Sequence, residues 1–236
     1  MKIVVKLGGF AFPLKINEEL IKSFALKFRE IHESGHKLTI VAGGGEAARV
    51  YINAARKLGA SESFCDQLGI LVSRLNAKLI IASLNELAAP KIPESLDEFQ
   101  SLLPLNKIIV MGGLQPGHST NAVAALIAEL IKADLLINVT DVDGVYTKDP
   151  RKNPDAKLLE EVTINQLQEI LSLNEVKAGT YKLLDFLAIK IIERSKIPTW
   201  IINGKNPSNL IKVIKGEKIG TKILTWGLKW KLLKKI

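Results

Sequence analysis

Apolar residues follow two alternating rhythms along the chain. Short apolar runs at 2–7, 38–42, 108–111, 134–139, 199–202 and 221–224 are too brief for helices and are bounded by turn residues, which predicts buried strands. Between them lie longer segments with apolar residues three and four apart, predicting helices over 16–33, from about 46, and over 63–87, 94–103, 121–131, 163–171, 181–195 and 207–214. Gly35 stands where the first helix should stop, and Pro90 and Pro93 break the long one. On that long helix Arg74 and Lys78 are expected on the wet face. Strands alternating with helices throughout predict an α/β layered fold around an open, mainly parallel sheet. No interior linker or repeat is visible, so residues 1–225 read as a single domain, with 226–236 as a basic extension suited to a short strand.

The glycines give this pattern a direction. Four predicted strands run into Gly8-Gly9, Gly43 to Gly45, Gly112-Gly113 and the 140–144 turn. In open α/β sheets ligands bind beyond the carboxyl ends of the strands, so four such loops predict an anion-lined crevice large enough for two phosphate-bearing ligands. The third loop, GGLQPGHST, leads into an alanine-rich helix. Its glycines let the backbone approach a ligand, Gln115-Pro116-Gly117 forces a turn, and Ser119 and Thr120 stand at N-cap positions. A helix start of this kind suits an anion, although an ordinary capped strand-to-helix connection reads the same way.

Composition narrows the field. The 236 residues are 47% hydrophobic and 24% charged, as in soluble globular proteins. No uninterrupted apolar run would span a bilayer, and MKIVVKLGG lacks the apolar core and cleavage site of a signal peptide. Cys65, the only cysteine, is expected to be a small packed residue, and a cytoplasmic chain is expected. The charge of +9 is dispersed except in the extension, which carries four lysines and no acid. Without zinc spacing, an aromatic RNA-binding signature or a helix-turn-helix pattern, neither nucleic acid nor a membrane is expected as a partner. His32 and His36, at a helix end, are expected in solvent.

Neither GxxxxGK[ST] nor a strand-borne GxGxxG is present. Instead the chain carries KLGG at 6–9, VAGGGEAAR at 41–49, VMGGLQPGHST at 110–120 and NVTDVDGVYTKDP at 138–150. In that order and spacing they resemble the amino-acid kinase superfamily. FCDQLGILVSRLNA (64–77), the 112–120 loop and AGTYKLLDFLAIKIIERS (178–195) narrow the resemblance to its uridylate kinases of the archaeal type.

The resemblance implies a three-layer αβα sandwich and Mg²⁺-dependent transfer of the ATP γ-phosphoryl group to UMP, a step of pyrimidine nucleotide biosynthesis. It implies catalytic roles for Lys6, as the cation at the moving phosphoryl group, and for Asp185, orienting a lysine or Mg²⁺ within a helix over 181–195. It implies ATP contacts at Lys6, Gly8, Gly9, Gly45, Arg49, Thr140, Tyr146 and Asp149. UMP contacts are implied at Gly44, Asp66, Leu114, Gln115, Pro116, Gly117, His118, Ser119 and Thr120, with the N-terminal part mainly the UMP site and the C-terminal part mainly the ATP site. It further implies a homohexamer built as a trimer of dimers, and inhibition by UTP. From the residues alone, Lys6 also reads as a solvated strand-end lysine, Arg49 as an exposed helix arginine, 140–154 as a surface hairpin and Asp185 as a capped or exposed aspartate of a helix. Asn121 stands where many relatives carry an acid, which leaves a non-catalytic nucleotide sensor or storage protein, or another small-molecule kinase of the superfamily, as alternatives.

Overall fold

The computed structural model describes residues 1–150, 153–175 and 183–225. The predicted strand in 226–236 and the first two residues of the predicted 181–195 helix lie outside these. The helices are α1 (Glu18–Glu33), α2 (Gly45–Lys57), α3 (Glu62–Leu84), α4 (Leu96–Leu102), α5 (Thr120–Leu130), α6 (Ile164–Glu175), α7 (Phe186–Ser195) and α8 (Asn209–Ile214). The strands are β1 (Lys2–Leu7), β2 (Lys37–Ala42), β3 (Ile109–Met111), β4 (Leu135–Thr140), β5 (Val145–Tyr146), β6 (Leu158–Leu159), β7 (Glu161–Thr163), β8 (Thr199–Asn203) and β9 (Thr221–Leu224).

Seven strands form one sheet in the order β3-β2-β1-β4-β8-β9-β7, parallel except where β8 meets β9. Its central strands are buried almost end to end, as strands covered on both faces must be. Helix α5 packs on β1, β2 and β4 and against α7, while α1 and α3 pack on each other and on β2, with α3 also covering β3. This is the layered αβα arrangement expected. Phe24 and Phe28 stack on α1 at 5.8 Å between ring centroids, and Phe10 meets Phe24 edge-on at 6.4 Å. Asn17 caps α1 by accepting from the Leu20 amide, and Gly35, at φ 81°, ends it.

The four strands β3, β2, β1 and β4 are adjacent and parallel, in the registers Thr39↔Ile109, Ile3↔Leu38 and Ile3↔Leu135. Their carboxyl ends therefore lie side by side, and the four loops share one edge. Only one strand of a hairpin lies within the 140–154 segment: β5 pairs antiparallel with β6, which falls beyond it at Leu158–Leu159.

Two expectations need correction. Asp185 does not lie inside a helix: α7 starts at Phe186 and Asp185 is its N-cap, accepting from the Ala188 amide at 3.0 Å. An aspartate oxygen is at home on free helix N–H groups, so the carboxylate is satisfied where an interior one would not be. The histidines at the end of α1 are partly covered rather than solvated. His36 Nδ1 lies 3.2 Å from the Met1 amino group, and burial followed by that charge lowers its pKa.

Candidate active site

Lys6 is the second-last residue of β1, with Val41 of β2 and Asn138 of β4 in register beside it. Burial pulls its pKa down to about 8, against the opposing pull of the Asp185 and then the Asp141 carboxylates. Two acids and a desolvated cation thus meet at the middle of the sheet edge.

Around Lys6 the chain turns sharply. The Gly8 amide donates to Val139 O and the Gly43 amide to Leu7 O, each at 2.9 Å, which ties the first two loops to strand ends on either side. Helix α2 then starts at Gly45, with Gly44 as its N-cap and no side chain capping it. Gly45 has φ 68°, and a Cβ there would lie 2.3 Å from Phe12 O, so only glycine fits. An uncapped helix start set beside a lysine is a ready anion site.

Helices α5 and α7 supply two more amino-terminal ends. Ser119 caps α5, accepting from the Asn121 and Ala122 amides at 3.0 and 3.1 Å, and its hydroxyl donates to Asp185 Oδ2. The caps of the two helices are therefore bonded to each other, which brings both positive helix ends to the acids near Lys6. Asn121 Oδ1 and Asn138 Oδ1 are buried without a hydrogen-bond partner among the described residues. Orphan acceptor oxygens of this sort are uncommon in finished protein interiors.

The 113–120 loop is half-exposed or exposed at Leu114, Gln115, Pro116, Gly117, His118, Ser119 and Thr120, and so is open to a ligand. Asp66, from α3, accepts the Gly117 amide at 2.8 Å through Oδ2 and so holds the turn. The Gln115 amide nitrogen lies 3.2 Å from the His118 ring. On the β4 side, Thr140 closes the strand and its hydroxyl donates to Asp141. Tyr146 OH donates to Asp143 at 2.8 Å, and burial followed by that carboxylate raises the phenol pKa. Asp149 is buried, 4% exposed, and its carbonyl accepts the Asn153 amide. Arg49 is exposed on α2 and makes no hydrogen bond or ion pair with described residues, so the structure does not tie it to the cluster.

Sequence reasoning missed the residues that hold these loops. Asn76, 5% exposed, donates to Gly43 O at 2.8 Å and Gly44 O at 3.1 Å. Ser73 accepts the Gly113 amide at 2.8 Å. Arg74, expected on the wet face, turns inward to the Gly113 and Leu114 carbonyls. The signal was helical phase: Ile70, Ser73, Arg74 and Ala77 follow Asp66 on one face of α3, so Arg74 shares the face of a candidate site residue.

The same helix explains Gly112-Gly113. A Cβ on Gly112 would sit 2.6 Å from Ser73 Oγ and 2.7 Å from Arg74 N, and one on Gly113 2.9 Å from Ile70 Cγ1. The pair is needed where α3 passes the loop, a reason of packing beside any need for ligand approach. Gly112→Ala is expected to cost about 1–3 kcal/mol by overpacking. Thermal unfolding checks it, and an unchanged midpoint would refute the close contact.

Comparison with known proteins identifies the family. The model of the amino acid kinase family matches residues 1–203. The uridylate kinase of Methanobrevibacter smithii is 46% identical over 232 residues, covering 95% of this chain and 100% of that one. That of Sulfurisphaera tokodaii is 48% identical over 222 residues, covering 94% and 98%. The crystal structure of uridylate kinase from Archaeoglobus fulgidus superposes with a TM-score of 0.85 at 46% identity, covering 94% of this chain and all of the other. UMP kinase from Bacillus anthracis, at 21% identity and a TM-score of 0.79, shares the fold. A chain matched over most of its length by the family model, and over nearly all of it by these relatives, belongs to the amino acid kinase family and, within it, to the uridylate kinases.

Proposed function

We propose that this protein is a UMP kinase, moving the γ-phosphoryl group of ATP to UMP and releasing UDP and ADP. The single observation that carries the chemistry is the half-buried Lys6 with Asp185 and Asp141 beside it, at the edge where four loops and three helix starts converge. Phosphoryl transfer requires little covalent help. It needs in-line positioning and neutralisation of charge on the moving group. Lys6 supplies the charge. The Gly8, Gly9 and Gly45 backbone holds the ATP phosphates, with Thr140, Tyr146 and Asp149 on the nucleoside side and exposed Arg49 reaching in from α2. Gly44, Asp66 and residues 114–120 hold UMP, Asp66 using the oxygen that Gly117 leaves free for a ribose hydroxyl. The N-terminal part of one domain over 1–225 thereby serves mainly UMP and the C-terminal part mainly ATP.

The oxygen donors fit a magnesium ion carried in on ATP. Among the described residues no group of three or more His, Cys, Asp or Glu could cage a resident metal. Mg²⁺ typically takes one or two carboxylates together with substrate phosphates and water. Asp185 and Asp141 offer the carboxylates, and the orphan Asn121 Oδ1 is a further hard donor nearby on α5. Bound there, the ion would draw charge off the transferring phosphate. The absence of an acid at Asn121 is thus compatible with turnover.

The proposed oligomer, a hexamer assembled as a trimer of dimers, draws support from α3. Among the described residues it is the one helix long and apolar enough to cross a membrane. Its inner face, however, is committed to the glycine loops, while Leu71 and Leu75 on its outer face are 59% and 62% exposed. A second copy covering that stripe accounts for the apolarity, and a cytoplasmic location follows for a nucleotide-biosynthetic enzyme. UTP, sharing the uridine of UMP, is the proposed inhibitor.

Steady-state ADP release with Mg·ATP and, separately, UMP, CMP, acetylglutamate and isopentenyl phosphate tests the assignment. Turnover confined to UMP is expected. Tight UMP or UTP binding without any turnover would instead identify a nucleotide sensor on this fold.

A further inference from the structure

The loop expected to take UMP is gripped from behind by one side chain. Arg74 sits in the middle of α3 with its side chain 17% exposed. Its Nε donates to Gly113 O at 3.1 Å, Nη2 to Leu114 O at 3.3 Å, and Nη1 meets Glu94 Oε2 at 2.5 Å. The preceding residue, Ser73, takes the Gly113 amide, so both main-chain polar groups of Gly113 are bonded to consecutive side chains of one helix. Eight residues earlier on the same face, Asp66 holds Gly117. The loop is thus pinned at both ends by a rigid helix while its middle, Gln115 and Pro116, stays exposed.

We infer that Arg74, with Glu94 fixing its far end, is the positioning residue that pre-shapes the 113–117 loop for the acceptor nucleotide. Naming that nucleotide as UMP rests on the proposed function. The role is geometric rather than electrostatic, because Glu94 already neutralises the guanidinium at close range. Three parallel demands in three directions suit the planar fork of arginine and exceed what a lysine ammonium, fixed at one point, can meet. Pre-ordering matters for binding because a loop that must first be frozen consumes part of the interaction it makes. It matters little for the donor, whose proposed contacts lie on other loops.

Arg74→Met keeps the stem and the helix propensity while removing all three bonds. Expected is a rise of about tenfold in KM for UMP, with KM for ATP within about twofold and kcat reduced far less than KM rises. Arg74→Lys should recover only part of the loss, and Glu94→Ala should move KM for UMP the same way by about threefold. Hydrogen exchange of the 113–118 segment, measured without substrate, should speed up about tenfold in Arg74→Met while the β1 amides keep wild-type protection. Equal rises in both KM values, or full rescue by lysine, would overturn the proposal. So would unchanged exchange in the loop, an outcome that decides the matter whichever substrate the enzyme uses. Absence of UMP turnover in the wild-type protein would count against the functional assignment alone.

Discussion

Lys6→Met is expected to lower kcat by a factor of about 10²–10³ and, at the same time, to raise the stability of the ligand-free protein. The two effects have one cause. Lys6 ends a central strand where it is needed as a cation, in a place that disfavours cations. Desolvation brings its pKa from an ordinary 10.5 to about 8 despite the Asp185 and Asp141 carboxylates. The folded protein consequently holds fewer protons than the unfolded chain between those two values. The cost of keeping Lys6 charged is complete below pH 8 and fades as pH rises towards 10.5. Its upper bound at neutral pH is about 3 kcal/mol, and partial solvent contact reduces the expected gain to about 1–2 kcal/mol. Denaturant unfolding of wild type and variant at pH 7 and again near pH 10.5 checks the sign. The variant should be the more stable at the lower pH, with the gap closing at the higher. Equal stability at both pH values would show that Lys6 is an ordinary solvated lysine, and a less stable variant at pH 7 that its charge is a net stabiliser.

The same titration predicts a limb in catalysis. kcat/KM for ATP, which reports the free enzyme, should fall as pH rises above about 8, because neutral Lys6 cannot hold a phosphate. Bound phosphates favour the cation, so the corresponding limb in kcat should lie at higher pH. Coincident limbs would place the titrating group away from the phosphates.

How far the sequence carried depended on the kind of signal. Strands β1 to β4 were legible because a strand buried on both faces reads as an apolar run, and the loops because glycines mark where such runs end. Their meeting on one edge followed from parallel topology. The two- and three-residue strands β5, β6 and β7 are too short to show a period, and only the bracketing turn residues hinted at them. The start of α7 was misplaced because the apolar run continues upstream through Leu183 and Leu184. Both are buried, yet they precede the cap. Arg74 was misread for a different reason: a charged side chain on a helix is usually solvated, and only the phase relation to Asp66 marks it as facing the loop. The Ser119–Asp185 bond joins residues 66 apart in sequence, and no local pattern contains it.

That bond sets up the second large effect. Asp185 has two tasks that substitution can separate. As a cap it accepts the Ala188 amide and the Ser119 hydroxyl, and asparagine caps helices about as well. As a charge it raises the pKa of Lys6 and offers an anionic oxygen to Mg²⁺ in the proposed mechanism, which asparagine cannot do. Asp185→Asn should therefore keep the cap and cost only about 1 kcal/mol at neutral pH, through weaker support of the Lys6 charge, while kcat falls about 100-fold. It should also move the alkaline limb of kcat/KM for ATP to lower pH, since the first of the two carboxylates that keep Lys6 protonated is gone, leaving only Asp141. Asp185→Ala adds the loss of the cap, about 1 kcal/mol, and unties the start of α5 from that of α7. Denaturant unfolding and pH–rate profiles of the two variants side by side check both tasks. If Asn and Ala are equally active and differ only in stability, Asp185 is a cap and nothing more. If the asparagine variant loses activity with its limb displaced towards acid, the charge works through Lys6. The proximity of the two groups at the sheet edge would then be catalytic in purpose as well as structural.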